Sequence, residues 1–230
     1  MRKLKGMDEI DGRRLRGDAS RRAVLSRAAD LASVAGLDGL SIGRLATDAA
    51  VSKSGVATLF GSKERLQLAT VEAARQRFVT SVIEPARAEP RGLGRIVALL
   101  DNWIAYSRDR VFPGGCFFAA AAADFDSKPG DVRDALERAL DDWSGYLAAS
   151  FRFAIELGEL PALHDPEQLA FECTALLDAA NTRSIMHGSN TPYRFARIGV
   201  ADRLASLGGS PDVIARLRDV DDEAVARPGG

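Results

Sequence analysis

With 230 residues, 46% of them hydrophobic and 27% charged, the chain has ample material for a core and too much apolar content to be mainly disordered. Its formal net charge of −1 is unevenly spread: from Arg2 to Arg65 there are 13 basic and 8 acidic side chains, a surplus of five, so the remainder carries −6. Two cysteines, Cys116 and Cys173, and two histidines offer neither a disulfide framework nor zinc-ligand spacing, so no metal or cofactor is expected.

Nearly every segment reads as helix, and period-two alternation between turn residues is absent, so the expected fold is all-α. Residues 1–19 read as a basic, mobile arm. A first helix is expected from about Ser20 to Ala35, with Val24, Ala28, Leu31 and Ala35 on one face and Gly36 as its stop. Ser41 is placed to cap a short helix from Ile42 to Ala49, Ser52 a second through Leu59, and Ser62 a long helix ending near Pro85. The stretch from Ala86 to Gly94 is the natural joint between two parts. Helices are then expected over about 93–108, 115–125 and 129–160, the last burying Val132, Leu136, Leu140, Trp143, Leu147 and Phe151. Asp165-Pro166-Glu167-Gln168 is a capped start for another helix, and Thr191-Pro192 for the last long one. A short turn after Ser210 and a frayed tail at 219–230 complete the chain.

The longest apolar stretch, Cys116 to Ala123, is too short to cross a bilayer, and no secretory signal is visible. A cytoplasmic protein without membrane contact is therefore expected. A basic head on an acidic body suits a polyanionic partner, although an uneven surface with no partner would read the same.

The stretch Leu40 to Leu66, LSIGRLATDAAVSKSGVATLFGSKERL, contains two short serine-capped helices joined by a tight turn, the pattern of a helix-turn-helix. Ala46 and Ala49 allow the helices to approach, and Val51 fills the corner. The second helix would present Lys53, Ser54, Gly55 and Thr58 at the end that reaches base edges in a major groove. Ser41 and Ser52 cap the two helices, and Arg44 and Lys63 flank the second as phosphate-neutralising side chains.

These residues, in this order, resemble the TetR family of transcriptional regulators over about Arg21 to Leu68. The resemblance rests on the Gly36–Ser41 turn, Leu45-Ala46, Ala50-Val51-Ser52-Lys53-Ser54-Gly55, and Phe60-Gly61-Ser62-Lys63-Glu64-Arg65-Leu66. Gly114-Gly115-Cys116-Phe117 also looks like a segment of one branch of the family. The resemblance implies a DNA-binding head over residues 20–66 and a helical ligand-binding and dimerisation part over 67–218. It further implies a homodimer joined through the last two long helices, a palindromic double-stranded operator, and a repressor released from it by a small, largely apolar effector. Two positions depart from the family pattern: Ala57 stands where an aromatic residue usually touches phosphate, and Leu59 where histidine is common.

For the larger part, Leu169, Cys173, Leu176, Leu177 and Ala180 form one apolar face and Phe195, Ile198 and Leu204 another, suited to a four-helix interface or to packing within one subunit. Candidate pocket residues are Trp103, Tyr106, Cys116, Phe117, Trp143, Tyr146, Leu177 and Asn181, with Asp178 a further polar anchor and Phe118 a further ring. The same aromatic stripe could be simple core. Cys116, near a helix start, also admits a redox or electrophile sensor, and Ala57 and Leu59 leave open an interaction module with a degenerate head. No catalytic constellation is present in the sequence.

Overall fold

A computed structural model describes the backbone of residues 4–218 and the side chains of residues 17–218; the expected tail, 219–230, lies outside the described residues. Every regular element among them is helical. The head consists of α1 (Leu4–Ala35), α2 (Ile42–Asp48), α3 (Lys53–Phe60) and the start of α4 (Lys63–Phe78). The helix of α4 runs on through a π turn (Val79–Ile83) into α5 (Glu84–Ala86). The body follows with α6 (Leu93–Arg108), α7 (Phe117–Phe125), α8 (Asp131–Glu156), α9 (Pro166–His187), α10 (Thr191–Ser206) and α11 (Pro211–Arg218).

The largest departure from the sequence reading lies at the start. Helix α1 begins at Leu4 rather than near Ser20, so residues 4–19 continue the helix instead of forming an irregular arm. That segment contains no proline, and its glycines lower helix propensity without stopping a helix propagated from a packed end. Beyond Ser20, Val24, Ala28, Ala29 and Ala32 are buried, Leu31 is half-buried, and Ala35 is exposed where Gly36 ends the helix.

Head and body are not separated at 66/67, because α4 runs through that point and packs on both α1 and α8. Pro85 has no N–H, and its ring crowds the preceding turn; the wider π turn before it relieves that conflict. Asn102 in α6 donates to the Val82 carbonyl within that turn at 3.1 Å. Arg77 in α4 ties three parts together, donating to Asp30 at 2.6 Å and the Ser26 hydroxyl at 2.6 Å in α1, and to the Val111 carbonyl at 3.3 Å.

In the body a buried polar network joins α6, α7, α9 and α10. The Ser107 hydroxyl donates to Asn181 Oδ1 at 2.8 Å and lies 2.6 Å from the Tyr193 hydroxyl, and the Cys116 backbone N–H donates to the same Asn181 oxygen at 2.9 Å. Removing the shared acceptor strands two buried donors, so Asn181→Ala is expected to cost about 2–3 kcal/mol, measured as a fall in urea midpoint with unchanged slope. Asn181→Asp, which keeps the acceptor, should lose less.

The outer faces of α9 and α10 carry exposed apolar side chains: Met186 is 77% exposed, Phe171 67% and Phe195 59%, with Leu176, Ile185 and Ile198 partly open beside them. Leu169, Cys173, Leu177, Ala180 and Leu204 are instead buried within the subunit. The expected α9 face is thus spent mainly on internal packing, and the open face is offset around the same helix.

Candidate functional site

The head is built by three serine caps. The Ser41 hydroxyl accepts from the Arg44 N–H at 3.2 Å, Ser52 from Gly55 at 3.0 Å and Ser62 from Arg65 at 3.2 Å, each satisfying one orphan donor of a helix start. Between α2 and α3 the chain turns at Ala50, whose φ of +52° is left-handed, and the Val51 N–H returns to the Ala46 carbonyl at 3.0 Å. Leu45, Val56, Phe60 and Leu66 bury the inner faces, so the outer face of α3 is left open.

On that face Lys53, Ser54 and Thr58 are exposed, as is Arg44 on α2, and Gly55 is half-buried. Lys53 reaches across Gly43, where an added Cβ would lie 3.5 Å from its Cε. Thr58 returns its hydroxyl to the Ser54 carbonyl at 2.8 Å, and Ser52 and Ser54 hydroxyls lie 3.2 Å apart. Ala57 is exposed where an aromatic would project, and Leu59 is half-buried against the core. Lys63 is not free: it donates to the Asp38 carbonyl at 2.7 Å and the Asp38 carboxylate at 3.1 Å. Lys128 holds the other carboxylate oxygen at 2.9 Å, and the two ammonium groups, Lys128 first, keep Asp38 below the usual carboxylate range.

The same corner is locked to the body. Asp124, at the end of α7, accepts from the Asp38 backbone N–H at 3.2 Å. Its carboxylate fills the space a Cβ on Gly36 would need, and Gly36 also has a φ of +79°. The backbone conformation therefore favours glycine there, and a Cβ would also push the Asp124 carboxylate aside.

In the body a cavity of about 420 Å³ lies between α4, α6, α7, α8 and α9. Of the candidate residues, Trp103, Cys116, Trp143 and Leu177 line it, and so do Phe118 and Asp178. Four expected residues are placed elsewhere. Tyr106 and Phe117 are spent in the aromatic core, with ring centroids 5.8 and 5.7 Å from Phe112. Asn181 belongs to the buried network, and Tyr146 faces a second recess of about 260 Å³ beside Arg91, Arg95 and Phe153.

The sequence reading missed Arg75 and Phe78 on α4, and Thr174 and Thr182 on α9. Phe78 had a signal, since it continues the buried face of Leu66, Thr70, Val71 and Ala74. It meets Trp143 edge-on at 5.1 Å and Tyr106 at 5.4 Å. Leu140, assigned to the buried stripe of α8, is 38% exposed at the cavity instead. Ala119 and Ala122 also line it, and their small side chains leave the space a larger residue would fill.

Cys116 is buried, and desolvation pushes its thiol up to about 11; Cys173 is pushed up to about 12 by the same cause. Both remain protonated near neutral pH, which opposes the thiolate chemistry of a redox sensor. Among the described residues no group of histidine, cysteine and acidic side chains could hold a metal, and no helix is long and apolar enough to cross a membrane.

Residues 92–200 match the tetracyclin repressor-like C-terminal domain. No curated protein sequence matches the chain significantly. Among solved structures, it is similar to a TetR transcriptional regulator from Chloroflexus aurantiacus J-10-FL, with 25% identity, 83% of this chain and 96% of that one covered, and a TM-score of 0.73. A TetR-family regulator from Cytophaga hutchinsonii gives 18% identity, 84% and 96% coverage and a TM-score of 0.72. AibR, solved with isovaleryl coenzyme A and operator DNA, gives 20% identity, 71% and 86% coverage and a TM-score of 0.59. With a helix-turn-helix at one end and the matched domain at the other, the chain is similar in fold and domain content to the TetR family of transcriptional regulators, which are DNA-binding proteins and not enzymes.

Proposed function

We propose that the protein is a homodimeric repressor that holds a two-fold operator through α3 and is released when a small, largely apolar molecule enters the body cavity. The observation that carries this reading is the course of α7. Its first turns and the residue before them supply Cys116, Phe118, Ala119 and Ala122 to the cavity, and its end supplies Asp124 to the Asp38 corner of the head. A ligand that binds better when α7 is displaced would therefore shift the head with it. Differential affinity for the two arrangements, not occupancy alone, drives such a change.

In this reading Arg44 and Lys53 neutralise backbone phosphates, Ser54, Gly55 and Thr58 face base edges, and the capped starts of α2 and α3 offer backbone N–H groups to phosphate. Lys63 adds a phosphate contact while remaining tied to Asp38. Dimerisation uses the open face of Phe171, Met186, Phe195 and Ile198 on α9 and α10, which would set two α3 helices toward successive major grooves about 34–36 Å apart. AibR, with the same fold, was solved with both operator DNA and a small molecule, which supports combining the two roles in one chain.

The test is an anisotropy titration of the full chain against its upstream DNA at two salt concentrations, with a scrambled duplex as control. Selective binding with a steep salt slope, reversed by a compound that quenches the cavity tryptophans, is expected. Equal, weak binding to both duplexes would favour an interaction module with a degenerate head, the reading that Ala57 and Leu59 support.

Asp124→Ala tests the link. Operator affinity without ligand is expected to change little, while the loss of affinity on adding that compound shrinks about fivefold or more, the lower range of a typical allosteric coupling. An unchanged ratio would remove α7 from the pathway.

A further inference from the structure

The charges around the cavity specify more than its shape does. Its wall carries four aromatic rings, Phe78, Trp103, Phe118 and Trp143, and two charged side chains, Arg75 and Asp178. Arg75 is already satisfied, since it donates to both oxygens of Glu72 at 3.0 and 3.3 Å, with the charge of Asp142 also nearby. Asp178 has no such partner: among the described residues no hydrogen bond or ion pair reaches its carboxylate. Asp178 is exposed in the single subunit, yet the protein around the part that faces the cavity pushes its carboxyl up to about 6 through desolvation. A carboxylate that loses water without gaining a cation is destabilised, and a positively charged guest would restore what it lost.

We propose that the cavity takes a cationic, largely apolar small molecule, an aromatic or alkyl ammonium compound, with Asp178 as its counter-ion and the four rings as its enclosure; this rests on the reading of the cavity as the effector site. The rings suit such a guest because their faces attract cations as well as apolar surface. An anionic guest would meet Asp178 unopposed, because Arg75, the cation on the wall among the described residues, is engaged with Glu72. A neutral guest would leave the carboxylate unpaired. Thr182, one turn beyond Asp178 on α9, adds a hydroxyl that makes no hydrogen bond among the described residues and can accept from an ammonium N–H.

The chain's two tryptophans both line the cavity, so their fluorescence reports occupancy directly. The experiment titrates the full-length protein with benzyltrimethylammonium, its neutral carbon isostere neopentylbenzene, and phenylacetate. The cation is expected to bind about tenfold more tightly than the isostere, and phenylacetate weakest. Asp178→Asn should remove the preference while leaving neopentylbenzene binding intact, and Asp178→Glu should retain it. Binding of benzyltrimethylammonium should also weaken as pH falls through about 6, because protonation removes the counter-ion. Of the other ionisable groups on the wall, Arg75 from α4 stays charged and Cys116 before α7 is held neutral, and Glu72 and Asp142 lie beside the Arg75 guanidinium.

Equal binding of cation and isostere, or a preference that survives Asp178→Asn, overturns the proposal and leaves the effector site standing. Tighter binding of phenylacetate overturns it in favour of an anionic guest. If none of the three probes alters tryptophan emission, the effector-site reading fails as well. A change in sedimentation on Asp178→Asn with unchanged ligand preference would assign the carboxylate to subunit pairing and also overturn the proposal.

Discussion

Replacing Gly114 by alanine is expected to lower the melting temperature by roughly 6–12 °C, for a loss of about 3 kcal/mol or more in a chain of this size. Gly114 precedes α7 and passes directly over the end of α1. Its N–H donates to the Ser33 hydroxyl at 3.0 Å. A Cβ there would fall well inside van der Waals contact of the Ser33 carbonyl and 2.9 Å from the Val34 nitrogen. These are backbone atoms within a helix and cannot rotate aside, so the joint between α1 and α7 must open. Ser33→Ala, which removes the hydrogen bond without adding bulk, should cost only about 1 kcal/mol. Thermal unfolding followed by circular dichroism separates the two. A Gly114→Ala protein melting within about 1–2 °C of the parent would mean that the close approach is not needed.

Reversing two charges on the open face of the head, Arg44→Glu with Lys53→Glu, is expected to weaken DNA binding on the order of 100-fold or more near 0.1 M salt. It should also reduce the slope of log affinity against log salt by about 2, roughly one for each phosphate that is no longer neutralised. Both side chains are exposed and no described residue forms an ion pair with either, so stability should be nearly unchanged. Lys63→Ala is a useful contrast. Part of its effect should appear as a looser head–body corner, because Lys63 shares Asp38 with Lys128. An unchanged salt slope in the double variant would place the DNA-binding surface elsewhere.

The head was the most legible part of the sequence because its signals are local. A serine before each short helix, Gly36 and Gly61 after helices, and small Ala46 at the crossing each act within a few residues, and the caps form where their spacing puts them. The start of α1 was not legible. Its charged, glycine-containing residues give no apolar stripe, and the helix there extends one nucleated by Val24, Ala28 and Ala32 further along.

In the body, helix positions were legible from periodicity and from the start signals at Asp165 and Thr191, but a stripe does not say what it faces. Leu140 and Phe151 share one stripe on α8, yet Phe151 is fully buried while Leu140 borders the cavity. Leu169 and Leu177 are buried within the subunit, whereas Phe171 and Met186, on the same helix, are exposed. Asn181 and Asp178 are one turn apart and both polar. Asn181 is consumed by Ser107 and Cys116, and Asp178 has no partner among the described residues. Only the packing of distant helices decides between such pairs.

The proposed function requires a two-fold protein to read a two-fold DNA site through α3. In vitro selection from a randomised duplex pool, using the purified full chain at moderate salt, tests it whatever the operator sequence turns out to be. Enrichment of an inverted repeat whose half-sites lie about one helical turn, or a multiple of it, apart is expected, with enrichment lost in the Arg44→Glu, Lys53→Glu protein. A pool that remains random after repeated rounds, or that converges on a single asymmetric site, would contradict it.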